Sequence, residues 1–424
     1  MNFKKQLMPN GLRVLTAPRA DTGAVTVLAM TNVGSRYETA RNNGVSHFLE
    51  HMMFKGTEKR PTSRDVTKEL DSVGAEFNAF TGKDYTGYYV KLGAEHIDRA
   101  LDIIADMLWH SKFLLDEINR ERTVVMEEIN MYMDNPVMLI EDIFEERVFG
   151  PKHPLGRHIS GPKAVIKKLS REDIVHYFER HYFPTNMVLT VAGKFNEAST
   201  LKAVEKLFGT TARGKKPATP VSFKQYQAKP QVTLVTRKTE QVQLGMGYPA
   251  LPYLHKDLPA LGLLAVILGG NMSSRLFVRV REKEGLAYSV HASRSSYTDT
   301  GAFYIQAGVD RQRTQHAVTV ILEELARVKR DGVTTEELAH AKDYIRGKLT
   351  ISLEDSEEIA SYIARQELLT GIIKTPQQYL AEFRRVKRSD IQRVARAIFK
   401  PSKLNLAVIG PFKNAKEFQQ LLER

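Results

Sequence analysis

The chain repeats itself at long range. Asp173-Ile174, Phe183, Pro184, Gly193 and Phe195 recur as Asp390-Ile391, Phe399, Pro401, Gly410 and Phe412. Asp173 to Asp390, Pro184 to Pro401 and Gly193 to Gly410 are each 217 residues apart, close to half of the 424-residue length, with Phe183 and Phe399 one residue off that register. In both copies a helical pattern opening at Ser/Asp runs into a Phe-Pro or Phe-x-Pro step. An apolar strand follows (Met187 to Ala192; Leu404 to Ile409) and ends at glycine. An offset this long signals two duplicated domains rather than a solenoid, whose units recur every ~20–50 residues. Each domain is then long enough to bury a core of its own.

Between the copies lies Gly209 to Pro220, rich in Gly, Pro and Lys, which reads as an exposed connector. The expected division is 1–208, a connector at 209–225, and 226–424. Each half combines strand-like alternation (Val25 to Met30, Thr86 to Leu92; Gln231 to Val235, Gly301 to Val309) with amphipathic helices (Ile97 to Leu108, Leu115 to Met133; His316 to Arg330, Thr335 to Ile351). Strands and helices that do not strictly alternate predict α+β: two homologous domains, each a mostly antiparallel sheet packed with helices.

Charge and cysteine content narrow the chemistry. The 62 Lys+Arg against 49 Asp+Glu give a net +13, which raises the question of an acidic partner. The basic clusters, Arg384-Arg385-Val386-Lys387-Arg388 and Arg213, Lys215 and Lys216 of the connector, carry no interleaved aromatics; they read as solvated surface, and nucleic acid is not expected. The longest apolar run, Leu258 to Leu268, is short and holds Pro259 and Gly262, and the N-terminus has no signal-peptide core. A soluble, cytoplasmic protein is expected, with no membrane partner. With no cysteine, disulfides, thiolate catalysis and Cys-ligated zinc are all excluded.

The strongest local feature is His47-Phe48-Leu49-Glu50-His51, framed by Gly44 and by Lys55-Gly56, which predicts a helix from about Val45 to Phe54 with a glycine C-cap. Residues four apart share a helical face, so His47 and His51 can address one ion, and Glu50 can reach a water on it. This is the inverted zinc-protease spacing H-x-x-E-H. By chance about two chains in a hundred of this composition show it, so the motif alone is suggestive, with surface His and Glu on an amphipathic helix as the bland alternative. A zinc site needs a third protein ligand, and the helix Leu115 to Met133 offers one. Glu121 and Glu128, seven apart, lie within about 20° of each other around the axis, on the stripe of Ile118, Val125 and Tyr132. Glu127 is about 100° away from Glu128. Carboxylates on an apolar stripe need a partner or a metal, so the spacing favours Glu128 as ligand, with Glu121 behind it; a salt-bridged acidic pair is the alternative.

Gly-Val-Ser-His-Phe-Leu-Glu-His-Met-Met-Phe-Lys-Gly-Thr (44–57) resembles the zinc peptidases of the pitrilysin and mitochondrial processing peptidase family. The resemblance continues through Gly74 to Thr81, Glu121 to Glu128 and His153 to Gly156, then through Leu268 to Phe277 and Arg281 to Tyr288, covering essentially the whole chain in order. It implies one Zn2+ per chain held by His47, His51 and Glu128, with Glu50 as general base and Glu121 supporting the site. It implies an edge strand at Asn78, Ala79 and Phe80 that takes up the substrate as an added β-strand. It implies that Arg281 and Tyr288 contact the substrate and the developing oxyanion. Four such domains close around the peptide in this family, so a homodimer, or a heterodimer with a related subunit, is implied, with Arg281 and Tyr288 serving the partner's zinc. The expected function is zinc-dependent endopeptidase action on unfolded peptides or presequence-like segments; the alternative is a non-catalytic scaffold or peptide-binding subunit. Residues 116–146 hold ten acids against Arg120 and Arg122, a net −8 that reads either as a chamber wall favouring basic peptides or as a solvated helix face.

Overall fold

The computed structural model describes residues 2–214 and 216–423, so Lys215 of the connector lies outside the described residues. Eleven strands are described, in two sheets. The first contains β1 (Lys4–Leu7), β2 (Arg13–Pro18), β3 (Ala24–Thr31), β4 (Glu76–Thr81), β5 (Thr86–Gly93) and β6 (Met187–Gly193), in the order β1-β2-β6-β3-β5-β4. The second contains β7 (Gln231–Thr236), β8 (Gln241–Ala250), β9 (Ala287–Ser296), β10 (Gly301–Asp310) and β11 (Asn405–Gly410), in the order β7-β11-β8-β10-β9. All neighbours are antiparallel except β2/β6 and β7/β11. The fold is the expected α+β; β1, β8 and β9 are strands that the alternation did not single out.

Two ladders of each sheet, those of β3 and of β8, carry the duplication at residue resolution. In the first sheet Met30 faces Val188 and Thr31 faces Thr86. In the second Gly247 faces Asn405 and Tyr248 faces Phe303. All four residues of the second set stand 217 after their counterparts (247 − 30, 405 − 188, 248 − 31, 303 − 86). Register is this well preserved because a one-residue slip would turn every buried side chain to the wrong face.

The compact units are not consecutive halves. One holds the chain up to Ile129, His158–Val221 and Leu349–Pro376; the other holds Asn130–Arg157, Ser222–Lys348 and the chain from Gln377 on. The chain thus crosses between units at 221/222, and each copy also lends one segment to the other unit. Packing explains the exchange. In the first unit, Val25, Val27 and Ala29 of β3 face a core with Ile103, Ile104 and Met107 of the helix Ile97–His110. Leu28 and Met30 on the opposite face meet Ile359, Ala360, Ile363 and Ala364 of the lent helix Ser356–Thr370. In the second unit, the helix Pro136–Phe149 covers Tyr304, Ala407 and Ile409 with Ile140, Phe144 and Val148. Its approach is close: a side chain at Gly245 of β8 would come within 3.1 Å of both Ile140 and Tyr304. With both faces covered, central strands need not alternate with polar residues, and all seven residues of β6 are buried.

The lent helix is a structural requirement of the first unit, and Ile363, fully buried in it, is the probe. Ile363→Ala is expected to cost ~2–5 kcal/mol, read as a lower urea midpoint at unchanged slope. An unchanged midpoint would mean that the helix does not pack on β3 and β6.

Candidate metal centre

The helix Val45–Met52 starts at Gly44, whose φ of +99° and close approach to the Ser160 carbonyl suit glycine. Buried Glu38 caps it, accepting from the Gly44 and Ser46 backbone N–H groups at 2.7 and 2.8 Å and from Asn43 Nδ2 at 2.9 Å. Val45, Phe48, Leu49 and Met52 anchor the helix in the core. The helix ends earlier than expected, with Met53 as its C-cap. Gly56 is not the cap; its φ of +121° serves a turn packed against the Pro61 carbonyl.

The second helix, Leu115–Asp134, buries Ile118, Glu121, Val125 and Ile129, whereas Glu127 is exposed. One atom each of His47, His51 and Glu128 falls within 4.8 Å of the others. His47 Nε2 is 3.5 Å from Glu128 Oε1, and His51 Nε2 is 3.4 Å from Glu128 Oε2. Those separations are longer than the about 2.7–2.9 Å of a well-formed charged hydrogen bond. The gathering of one donor atom from each residue is what a shared ion would require. The donor set, two imidazoles and one carboxylate with a position left for a water, fits a catalytic zinc.

Around these three, Glu121 Oε1 is 2.8 Å from His51 Nδ1, and Glu121 Oε2 is 2.6 Å from Lys55 Nζ. Burial opposes a charge on His51, but hydrogen bonds to Glu121 and Glu128 outweigh it and bring its pKa up to about 9. Burial likewise pushes Glu121 upward, and its bonds to His51 and Lys55 return it below the ordinary carboxylate value. Hydrogen bonding to His47 and His51 holds Glu128 well below that range. A cation binding the cluster competes with protons for the same ligand atoms.

Glu50, on the same helix, accepts a hydrogen bond at Oε2 from Thr81 Oγ1 of β4. Strand β4 is the edge of its sheet and pairs only with β5 among the described strands. Asn78, Ala79 and Phe80 lie on it, and the Ala79 N–H is held by Asn78 Oδ1 at 2.9 Å. Thr81 and Lys55 are contributors that motif spacing did not single out. Lys55 stands four residues after His51, an offset that carried the signal.

Arg281 and Tyr288 belong to the other unit, where they meet each other. The Arg281 guanidinium lies 4.7 Å from the Phe277 ring centroid and 5.4 Å from that of Tyr288. Both sit on backbone irregularities. Arg281 lies in the π-helical turn Phe277–Lys283. In β9, Ala287 faces Val309 and Ser289 faces Gly308, so Tyr288 is the extra residue of a β-bulge, and it is 73% exposed. Such insertions re-aim side chains and recur at functional sites.

The second copy has lost the metal chemistry. At the 217-residue offset, His47, Glu50, His51, Glu121 and Glu128 become Leu264, Ile267, Leu268, Leu338 and Ile345. The first four are buried and Ile345 packs against the same core.

The acidic run 116–146 is shared between the two units. It divides after Ile129; Glu121 and Glu128 serve the metal cluster, Glu117 pairs with Arg120, and buried Glu145 accepts from Tyr297 Oη at 2.6 Å.

Comparison with known proteins matches two family models in tandem along the chain. Residues 13–163 match the family described as insulinase (peptidase family M16), and residues 168–345 match the peptidase M16 inactive domain. A protein of Bacillus subtilis named as an uncharacterized zinc protease is 38% identical, covering 97% of this chain and 99% of that one. Another from Streptomyces coelicolor is 34% identical over 97% of this chain and 90% of its own. The crystal structure of a protease from Helicobacter pylori superposes with a TM-score of 0.91 at 26% identity, covering 97% of this chain and 99% of that one. A structure from Pseudomonas fluorescens, described as a peptidase M16 inactive domain, shares the fold with a TM-score of 0.89 at 18% identity, again over 97% and 99% of the two chains. In sequence over nearly its whole length, and in fold, the chain belongs to peptidase family M16, the insulinase/pitrilysin family of zinc proteases.

Proposed function

We propose that this chain is a zinc-dependent endopeptidase acting on unfolded peptides or presequence-like segments. The observation that carries the reading is the meeting of His47, His51 and Glu128 at metal-ligand spacing, with Glu50 on the same helix. His47, His51 and Glu128 would hold a zinc ion, which would supply Lewis acidity toward a water and a carbonyl. Glu50 takes the proton of the attacking water and delivers it to the leaving amine. Thr81 orients that carboxylate through Oε2, leaving Oε1 for the proton.

Substrate adds to the open edge of β4, its main chain replacing the Asn78 Oδ1 bond to the Ala79 N–H. Phe80 packs edge-on against Tyr85, which stiffens the strand end nearest Thr81. Arg281 and Tyr288 supply a cation and a phenol to the substrate and to the charge that develops on the scissile oxygen. The chain works as a dimer, homodimeric or with a related subunit, in which this pair serves the zinc centre of the partner. Preference for basic peptides rests on the acids of 116–146 that remain outside the metal cluster.

Glu50→Gln should retain one zinc per chain by elemental analysis while kcat on an unfolded peptide falls by about 10²–10⁴-fold; near-normal turnover by the zinc-loaded variant removes Glu50 as base. Mixing Glu50→Gln with Tyr288→Phe under conditions of subunit exchange should restore activity that neither has alone. Exchange without recovery places both roles in one chain.

A further inference from the structure

We infer that Lys55 is a positioning residue of the zinc centre, acting through Glu121 on the His51 ring; this rests on the zinc reading above. Its Nζ lies 2.6 Å from Glu121 Oε2, and Glu121 Oε1 lies 2.8 Å from His51 Nδ1. One carboxylate is therefore divided between two partners, one oxygen each. Rotation that improves either contact breaks the other, so the plane of the carboxylate is fixed from both ends. Glu121 is only 4% exposed, which leaves little water to replace a lost partner.

The backbone sets the reach of the lysine. Beyond the helix end the turn continues, with the Phe54 N–H donating to the His51 carbonyl at 3.4 Å and the Lys55 N–H donating to the Met52 carbonyl at 3.1 Å. One short segment thus bears both the ring and the tether that aims it. Glu121, arriving from the helix Leu115–Asp134, is clamped between two side chains of that segment. The consequence falls on His51: with Nδ1 engaged by a fixed acceptor, the ring presents Nε2 to the ion in one orientation. Without Lys55, Glu121 Oε2 is left buried without its cation, the carboxylate gains rotational freedom, and the ring is held less firmly.

The test is zinc affinity of the full chain, measured by competition with a chromophoric chelator at fixed neutral pH, with no substrate present. Partners of this kind are worth about 10–100-fold in metal affinity; Lys55→Met should lose about tenfold. Lys55→Arg, which restores a charged donor, should recover most of it. Since Lys55 acts only through Glu121, the double variant Lys55→Met/Glu121→Gln should bind zinc no more weakly than Glu121→Gln alone. Urea midpoints of the metal-free proteins check that each variant is folded. Should Lys55→Met fail to fold, Lys55→Gln takes its place, keeping a donor without the charge. Unchanged affinity in the neutral variant, or losses that add in full in the double variant, overturns the assignment. Zinc binding without peptidase activity in the unmodified chain sinks the peptidase reading and leaves Lys55 in place; an active peptidase whose zinc affinity ignores Lys55 does the reverse.

Discussion

A carboxylate on the buried stripe of a helix is tolerated only where a cation, a donor or a metal meets it. Glu121 and Glu128 meet that condition by facing His47 and His51, and much of the first unit is arranged so that they can. Glu38 and Gly44 start the histidine helix at one defined residue, and Phe48, Leu49 and Met52 set its rotation in the core. Ile118, Val125 and Ile129 do the same for the carboxylate helix. The polar cluster is where two apolar packing solutions coincide, and side chains locked by packing hold a metal geometry better than a loop does.

The second unit shows what the same backbone does without that condition. The register of β3 with β5 and β6 recurs in that of β8 with β10 and β11, yet the five polar positions of the centre are Leu264, Ile267, Leu268, Leu338 and Ile345. A half-complete set of buried polar groups is worse than an apolar core, so a copy that does not hold a metal gains by replacing all of them. What the second copy retains is exposed instead: Tyr288 on its bulge and Arg281 on its π-turn, stacked against each other. One copy places its distinctive chemistry in a packed interior, the other on irregular backbone at the surface.

The exchanged segments show how far the halves have become one structure. Each unit buries both faces of its sheet, and each needs a helix from the other copy to do so, Ser356–Thr370 for the first and Pro136–Phe149 for the second. The duplication is visible because repeated residues such as Pro184 and Pro401 bracket strands of matched register. The exchange is not, because an amphipathic helix displays the width of its apolar stripe and not the sheet that will cover it. The expected boundary at 209–225 marks one crossing between units and is silent about the four others.

By itself the sequence determined the α+β class, the duplication, the family through the resemblance of its motifs, and the candidate site residues His47, Glu50, His51, Glu121 and Glu128. The duplication rests on an offset of 217 residues, and the candidate ligands on helical spacings of four for His47 and His51 and seven for Glu121 and Glu128. A period on a helix fixes which side chains share a face. Tertiary structure alone decided what meets that face: that Thr81 reaches Glu50, that Lys55 reaches Glu121, that Glu145 is spent on Tyr297, and that Arg281 leans on Phe277. Those contacts are set by the packing of elements distant in the chain, where an ångström separates a hydrogen bond from none.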